Sequence, residues 1–468
     1  MRPLRTVLFA MALLACAGPV MAQRTTCDIV ERPGGTLILI GGGTGAETYV
    51  IGRAFFNCSG GRRIIADSAT YSRASGHITL MGNVQVDDTE RTLRSDFAQY
   101  FTQIRQISAR DRVVLQDIRT GSIIHSDLLN MYEATATRPQ SLVVATRITG
   151  PQARAILFDE QPGAAGERPD SMIVDADEIQ IVGNESFRGT GSAVLTRDSL
   201  RATAHQIDYQ QQQGSLHILG GGHVTLPRYE LRGDSITASL DDDREIREVL
   251  TRHRASLTSE DMEVTAPAVR LFFEDGSISR MVAMTWAPMQ NAAPGPRPIA
   301  LTPQFRMEAD SLDVLAPEQQ IREAAAIGSA HVERFTPDSL RALLPEAEPG
   351  IMALIANDWM RGDTVRAFFA AAGDTTQAEG STERVMERLT ATGAAQAMHR
   401  MRQDNAAPDA RLSIAYLVGR MVDVSFADGI VSDVVASQDV RGVYLQPGNA
   451  ARQTGDGQTT ASARRPPQ

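Results

Sequence analysis

Ala66-Asp67-Ser68-Ala69-Thr70-Tyr71 is the stretch that decides how this chain is read: a small residue, then Asp, then an alternating run. The pattern returns at Ser95-Asp96-Phe97-Ala98-Gln99-Tyr100, Ser126-Asp127-Leu128-Leu129 and Ala176-Asp177-Glu178-Ile179. It returns again at Gly233-Asp234-Ser235-Ile236, Ala309-Asp310-Ser311-Leu312 and Gly362-Asp363-Thr364-Val365, with weaker copies at Ala204-His205, Ala266-Pro267 and Gly419-Arg420. Asp67 to Asp96 is 29 residues, Asp96 to Asp127 is 31, and His205 to Asp234 is again 29. A fixed period of this length marks one supersecondary unit stacked many times.

Each copy has a second half. In Ile78-Thr79-Leu80-Met81-Gly82-Asn83-Val84-Gln85-Val86, Val84 lies 17 residues after Asp67, and the same offset from Asp96 and Asp177 reaches Val113 and Val194. The unit is therefore a pair of strands, each of period two. Asp after a small residue is expected at the start of a strand, where its carboxylate accepts backbone N–H groups as the chain turns. That makes the Asp series structural rather than catalytic.

The 468 residues suffice for about two to four ordinary domains or for one long solenoid. Hydrophobic content is 42% but aromatics only 5%, a composition suited to many thin β layers. All 46 basic residues are arginine, whose guanidinium can bind carboxylate or phosphate bidentately. A net charge of -10 argues against a nucleic-acid partner.

Residues 1–22 have the form of an export signal: Arg2 and Arg5, an apolar run from Val7 to Leu14, and small residues at Val20-Met21-Ala22. The periplasm is the expected location. Leu13-Leu14-Ala15-Cys16 also resembles a lipobox, which leaves a second route open, anchorage by a lipid on Cys16. Cys27 and Cys58 remain after ordinary cleavage and form a candidate disulfide in an oxidising compartment.

The expected organisation is a first β block over 23–150, a linker over 151–170, a second block over 171–290, a Pro/Gly linker over 291–300 and a third block over 301–446. A tail follows at 447–468. Within the third block, Ser339-Leu340-Arg341-Ala342-Leu343-Leu344 and Ser381 to Leu389 read as helical insertions. Catalytic signatures fail: Gly41-Gly42-Gly43-Thr44-Gly45 lacks the Gly-Lys-Ser/Thr ending of a phosphate loop, and neither a His-Glu-x-x-His nor a Gly-x-Ser-x-Gly occurs. No enzyme, cofactor or metal is expected.

Ala66 to Tyr71, Ile78 to Val84, and later Met421-Val422-Asp423-Val424-Ser425-Phe426 leading to Gly442-Val443-Tyr444-Leu445, resemble the OstA-like family. That family includes LptA and the N-terminal domain of LptD, proteins of lipopolysaccharide transport. The resemblance implies an all-β fold, a repeat β-jellyroll solenoid of two facing antiparallel sheets, here with helical insertions in the C-terminal third. It also implies an apolar groove for the acyl chains of lipopolysaccharide or a related glycolipid, and LptC-like and LptD-like partners in the two membranes.

Alternation puts Ile78, Leu80, Val84 and Val86 on one face, and Leu216, Ile218, Val224 and Leu226 on another. These are the groove candidates, and filling of a closed sandwich core stands beside that reading. The functional expectation is a carrier that bridges toward the outer membrane. Its alternative is a non-enzymatic scaffold of an outer-membrane assembly complex.

Overall fold

The computed structural model describes residues 26–445 apart from 32, 42–46, 159–170, 184, 242–244, 261, 286–295, 318–319, 337–354, 371–385, 402–411 and 428–429. The export signal, Cys16, the C-terminal tail and the helical reading at Ser339 to Leu344 lie outside the described residues. The chain divides into two compact units, Met1–Pro227 with Ser235–Arg244, and Arg228–Asp234 with Glu245–Gln468. Nearly all the described chain is β-strand, as the repeat demanded.

The first unit begins with β1 (Cys27–Ile29), β2 (Thr36–Ile40), β3 (Glu47–Cys58), β4 (Arg63–Ser72), β5 (His77–Asp87), β6 (Arg91–Phe101), β7 (Gln106–Asp117) and β8 (Ile123–Tyr132). It continues through β9 (Leu142–Thr146), β10 (Ala153–Phe158), β11 (Ser171–Ala176), β12 (Glu178–Val182), β13 (Ser186–Arg197), β14 (Leu200–Gln210) and β15 (Ser215–Thr225); β16 (Tyr229–Leu240) has residues in both units. From β3 to β8 each strand pairs antiparallel with the next. Strand β8 then pairs with β9 along one half and β10 along the other. These continue separately into β12 and β11, and both of those rejoin on β13. Ala153–Phe158, expected in a linker, is thus an integral strand.

Every long strand is bent once near its middle, so the array is folded into two leaves. Residues 77–81, 97–101, 106–110, 128–132, 142–146, 178–182, 186–190 and 206–210 share the first leaf. Residues 84–87, 91–95, 113–117, 123–126, 153–158, 171–176 and 193–197 share the second. The leaves face each other: a Cβ built on Gly189 of the first would lie 3.3 Å from Ala176 and Val174 of the second. Period-two alternation along both halves points the apolar residues into the space between them.

The repeated Asp marks these corners: Asp177 and Asp310 stand just before a strand as expected, whereas Asp67, Asp96 and Asp127 lie within one, which corrects their reading as strand starts. Gly82 and Asn83, both in the left-handed region (φ 75° and 44°), lie opposite Asp96 on one side and Asp67 on the other, where the pairing shifts. Asp111 and Arg112 do the same between Asp96 and Asp127, and Gly191 and Ser192 sit opposite His205. Two left-handed residues against one extended residue form a bulge that turns the strand without breaking the ladder. The second of the pair often supplies the Asp with a donor: Asn83 Nδ2 to Asp67 at 2.8 Å, and Arg112 Nε and Nη2 to Asp96 at 2.8 and 2.6 Å. Asp127 instead accepts the N–H groups of Ile148, Thr149 and Gly150. The small residue before Asp points into the apex, where Ala66, Ser95 and Ala176 are buried and a larger side chain would wedge the leaves apart.

The second unit repeats the plan with β17 (Ile246–Ser259), β18 (Glu263–Glu274), β19 (Ser277–Met284), β20 (Ile299–Leu301), β21 (Phe305–Glu308) and β22 (Ser311–Leu315). It ends with β23 (Glu323–Arg334), β24 (Asp358–Phe369), β25 (Met386–Met401), β26 (Ser413–Ala427), β27 (Ile430–Ser437) and β28 (Arg441–Leu445). Its corners are at His253-Arg254, Gly328-Ser329 and Gly393-Ala394. Strands β19 and β20, which stand before and after the Pro-rich stretch in sequence, both pair with β18. Residues 386–389, expected in a helix, begin β25 because their alternating side chains pair with β24 and β26.

Candidate functional site

Period two places the eight groove candidates as their spacing suggests, with different degrees of enclosure. Ile78 and Leu80 are 0% exposed, Val84 2% and Val86 3%, all within the tightly filled space between the leaves. Ile218 and Val224 are also buried. Leu216 is half-buried, and half-buried Leu226 lies just past the end of β15. Cys27 and Cys58, opposite each other on β1 and β3, are joined in a disulfide.

Farther along the first unit the leaves part. A cavity of about 710 Å³ lies between them, in the range typical of ligand sites. Leu115, Ile124, Leu157, Phe158 and Met172 of the second leaf form one wall. Val143, Ile181, Phe187 and Tyr209 of the first leaf form the other. Arg91, Asp117, Arg119 and Glu185 stand at the same cavity with Thr120, Ser122, Ser186 and Gln211, so apolar and polar walls meet in it. None of these lining residues was among the candidates read from sequence. A signal was present: Ala193 and Ala202 stand in strands beside the cavity where the matching positions of β5 and β6 carry Val84 and Leu93. Small residues hold the apex close while Phe187 and Tyr209 stand toward the mouth, giving a wedge in cross-section.

On the other side of Arg91 the mouth is crossed by arginines. Arg62, in the β3–β4 turn, donates from Nη1 to Tyr100 Oη at 2.8 Å and to Glu133 Oε1, and from Nη2 to Asp88 Oδ2 at 2.9 Å. Its guanidinium carbon also lies 5.3 Å from the centre of the Tyr100 ring. Burial opposes this charge, but Tyr100, Glu133 and Asp88 outweigh it and hold the group above the ordinary arginine range. Burial works against the Asp88 carboxylate as well, yet Arg62 and the N–H groups of Glu90 and Arg91 keep it below the usual range. Arg91 donates to Ser141 Oγ at 3.2 Å and lies 3.9 Å from the Asp117 carboxylate.

Residues 63–244 match the family model of the LptA/(LptD N-terminal domain) LPS transport protein. The match covers less than half of the chain, runs from the start of β4 and includes every strand that lines the cavity. At the level of the family it supports involvement in lipopolysaccharide transport. No curated protein matches the chain. Among the described residues no helix is long and apolar enough to cross a membrane.

The second unit, almost all of it beyond that match, has a tie of its own. Arg334, on the half of β23 that pairs with residues 358–362, places its guanidinium 5.2 Å from the ring centre of Phe426, on the other leaf. Asp358 accepts from Arg400 Nε at 2.8 Å nearby, and Arg400 also bonds Thr336 and the Ala356 carbonyl. His399 is buried in this cluster. Burial pushes its imidazole down to about 4 and Arg334 and Arg400 push the same way, with Asp358 opposing.

Proposed function

We propose that this chain is a periplasmic carrier that shelters the acyl chains of lipopolysaccharide, or of a closely related glycolipid, on the way to the outer membrane. The observation that carries this reading is the cavity between the leaves, with an apolar wall on each leaf beside polar and charged groups, inside the residues that match a lipopolysaccharide-transport family. Burial of acyl chains there is favourable by about 0.8 kcal/mol for each CH₂ removed from water. The reading gives the protein no catalytic step, since shielding a chain requires only apolar walls.

Each unit offers a strand edge that fits a bridge. Strand β2 is hydrogen-bonded on one side only among the described residues, and its Leu37, Ile38, Leu39 and Ile40 are exposed. Strand β28 likewise exposes Val443, Tyr444 and Leu445. Open strand edges of this kind accept further strands, and LptC-like and LptD-like proteins are the proposed partners. The export signal would deliver the chain to the periplasm, with Cys16 as the alternative anchor.

The scaffold reading draws on the closed layers around Ile78 and Leu80, which leave no room for a lipid as they stand. Purification of the full chain from cells separates the two. Lipopolysaccharide is expected to copurify with the wild type, and Ile181→Arg, which sets a charge in the cavity wall, is expected to lose it while the protein still unfolds cooperatively. Equal amounts on both proteins, or none on either, would favour the scaffold.

A further inference from the structure

Arg62 and Arg91 rise from the second-leaf side of the mouth, and their first-leaf partners Glu133 and Ser141 are the two ends of one turn, residues 133–141 between β8 and β9. A third contact fixes the same turn: Gln140 Nε2 donates to Glu185 Oε2 at 3.0 Å, and Glu185 lies on the cavity rim. We propose that this turn is a flap, latched by Arg62 and Arg91, that separates the cavity from the closed layers and must swing away before an acyl chain can pass between them. The inference rests on reading the cavity as a lipid site.

Three features support a latch over a permanent clamp. The two regions meet at Arg91, which stands on the cavity wall while Ile78, Leu80, Val84 and Val86 fill the space beyond it. Next, the ties are buried on one side only. The Arg62 side chain is 10% exposed, but Asp88 and Glu133 are 17% and 23% exposed, so water can reach the carboxylates as the pair parts. Removing one partner of a fully enclosed pair leaves a bare charge, whereas a pair at a wet rim can exchange its partner for solvent. Finally, the turn is bonded within itself, by the Thr135–Arg138 backbone pair, Arg138 N to Thr135 Oγ1 and Arg138 Nη2 to the Glu133 carbonyl, so it can move as a piece between its ends, where Glu133 N bonds the Arg105 carbonyl and Gly183 N the Ser141 carbonyl.

The test uses a fatty acid with a photoactivatable group at its chain end, bound to the full-length protein and mapped by mass spectrometry. In the wild type the label is expected on cavity strands, around Ile124, Val143 and Phe187, and at background over residues 78–86. In an Arg62→Met, Arg91→Met double variant it is expected to reach residues 78–86 at a level similar to the cavity. Glu133→Gln with Ser141→Ala loosens the flap from its other side without touching the buried guanidinium groups, and is expected to spread the label in the same direction if the first variant folds poorly. Label confined to the cavity in both variants, or present at 78–86 already in the wild type, would overturn the latch and leave the cavity reading standing. Absence of label from every protein would overturn both.

Discussion

Strands β4 to β6 and strands β9 to β14 turn on the same kind of corner yet differ at the mouth. In the first group the inward positions Ile78, Leu80, Leu93 and Tyr100 fill the gap and Arg62 crosses it. In the second, Ala193 and Ala202 stand at the positions that match Val84 and Leu93, and the gap opens into the cavity. The corner is thus the invariant of the fold, and side-chain volume together with the rim ties decides whether a layer is shut or open. The second unit makes the same point with other residues, since its tie sets Arg334 against an aromatic ring where Arg62 meets carboxylates.

This comparison is exposed to several measurements. The largest effect is expected from Leu80→Ala. Leu80 is wholly enclosed, so its loss removes transfer energy and leaves a void, at a cost of about 3 kcal/mol in urea unfolding. Ile181, half-buried against open space, should cost only about 1 kcal/mol as Ile181→Ala, because one of its sides already lacks neighbours. Equal costs would mean that the two regions are packed alike.

Acid should separate the two ties. His399 has a folded value of about 4, below the ordinary 6.5, so between those values the unfolded chain takes up a proton that the folded one refuses. Stability is therefore lost as pH falls through that window, by up to roughly 3 kcal/mol in all. The depressed Asp88 acts later: its contribution is intact above the ordinary carboxylate range and is lost only below about pH 4. Hydrogen-exchange protection at pH 4.5 relative to pH 6.5 should accordingly drop in β24 to β26 and hold in β4 to β6. His399→Gln should remove most of the difference.

A smaller and shared effect is expected at the corners. Gly82 and Gly191 have φ near 75° and 78°, and a Cβ on either would press against the carboxylate of Asp67 or Asp177. Gly82→Ala and Gly191→Ala should each cost about 2 kcal/mol. Similar values in both would show that closed and open layers stand on one corner, whereas a negligible cost at Gly191 would show that the cavity strands are held otherwise.

The repeat was legible because its frame recurs and its Asp survives in seven of the ten copies, and it located the corners from Asp67 to Arg420 in one frame. Their nature was not legible. The left-handed pairs are as different as Gly82-Asn83, Asp111-Arg112 and His253-Arg254, and they sit inside strands whose alternation continues on either side, so no turn composition announces them. The pairing of β19 and β20 with one strand, β18, was not legible either, because loop composition says nothing of which strands on its two sides meet. For the site, period two gave the inward face but not which layers open. That depends on contacts such as Arg62 with Glu133 and Arg91 with Ser141, between residues 71 and 50 positions apart in the chain.

The central claim is that lipid occupies the cavity and not the closed layers. Photocrosslinking in living cells from Phe187, from its outward neighbour Arg188 and from Leu80, probed for lipopolysaccharide, tests it most directly. Adducts from Phe187 with none from Arg188 or Leu80 are the predicted result; adducts from Arg188 as strong as those from Phe187, or protein adducts alone at all three positions, would contradict it.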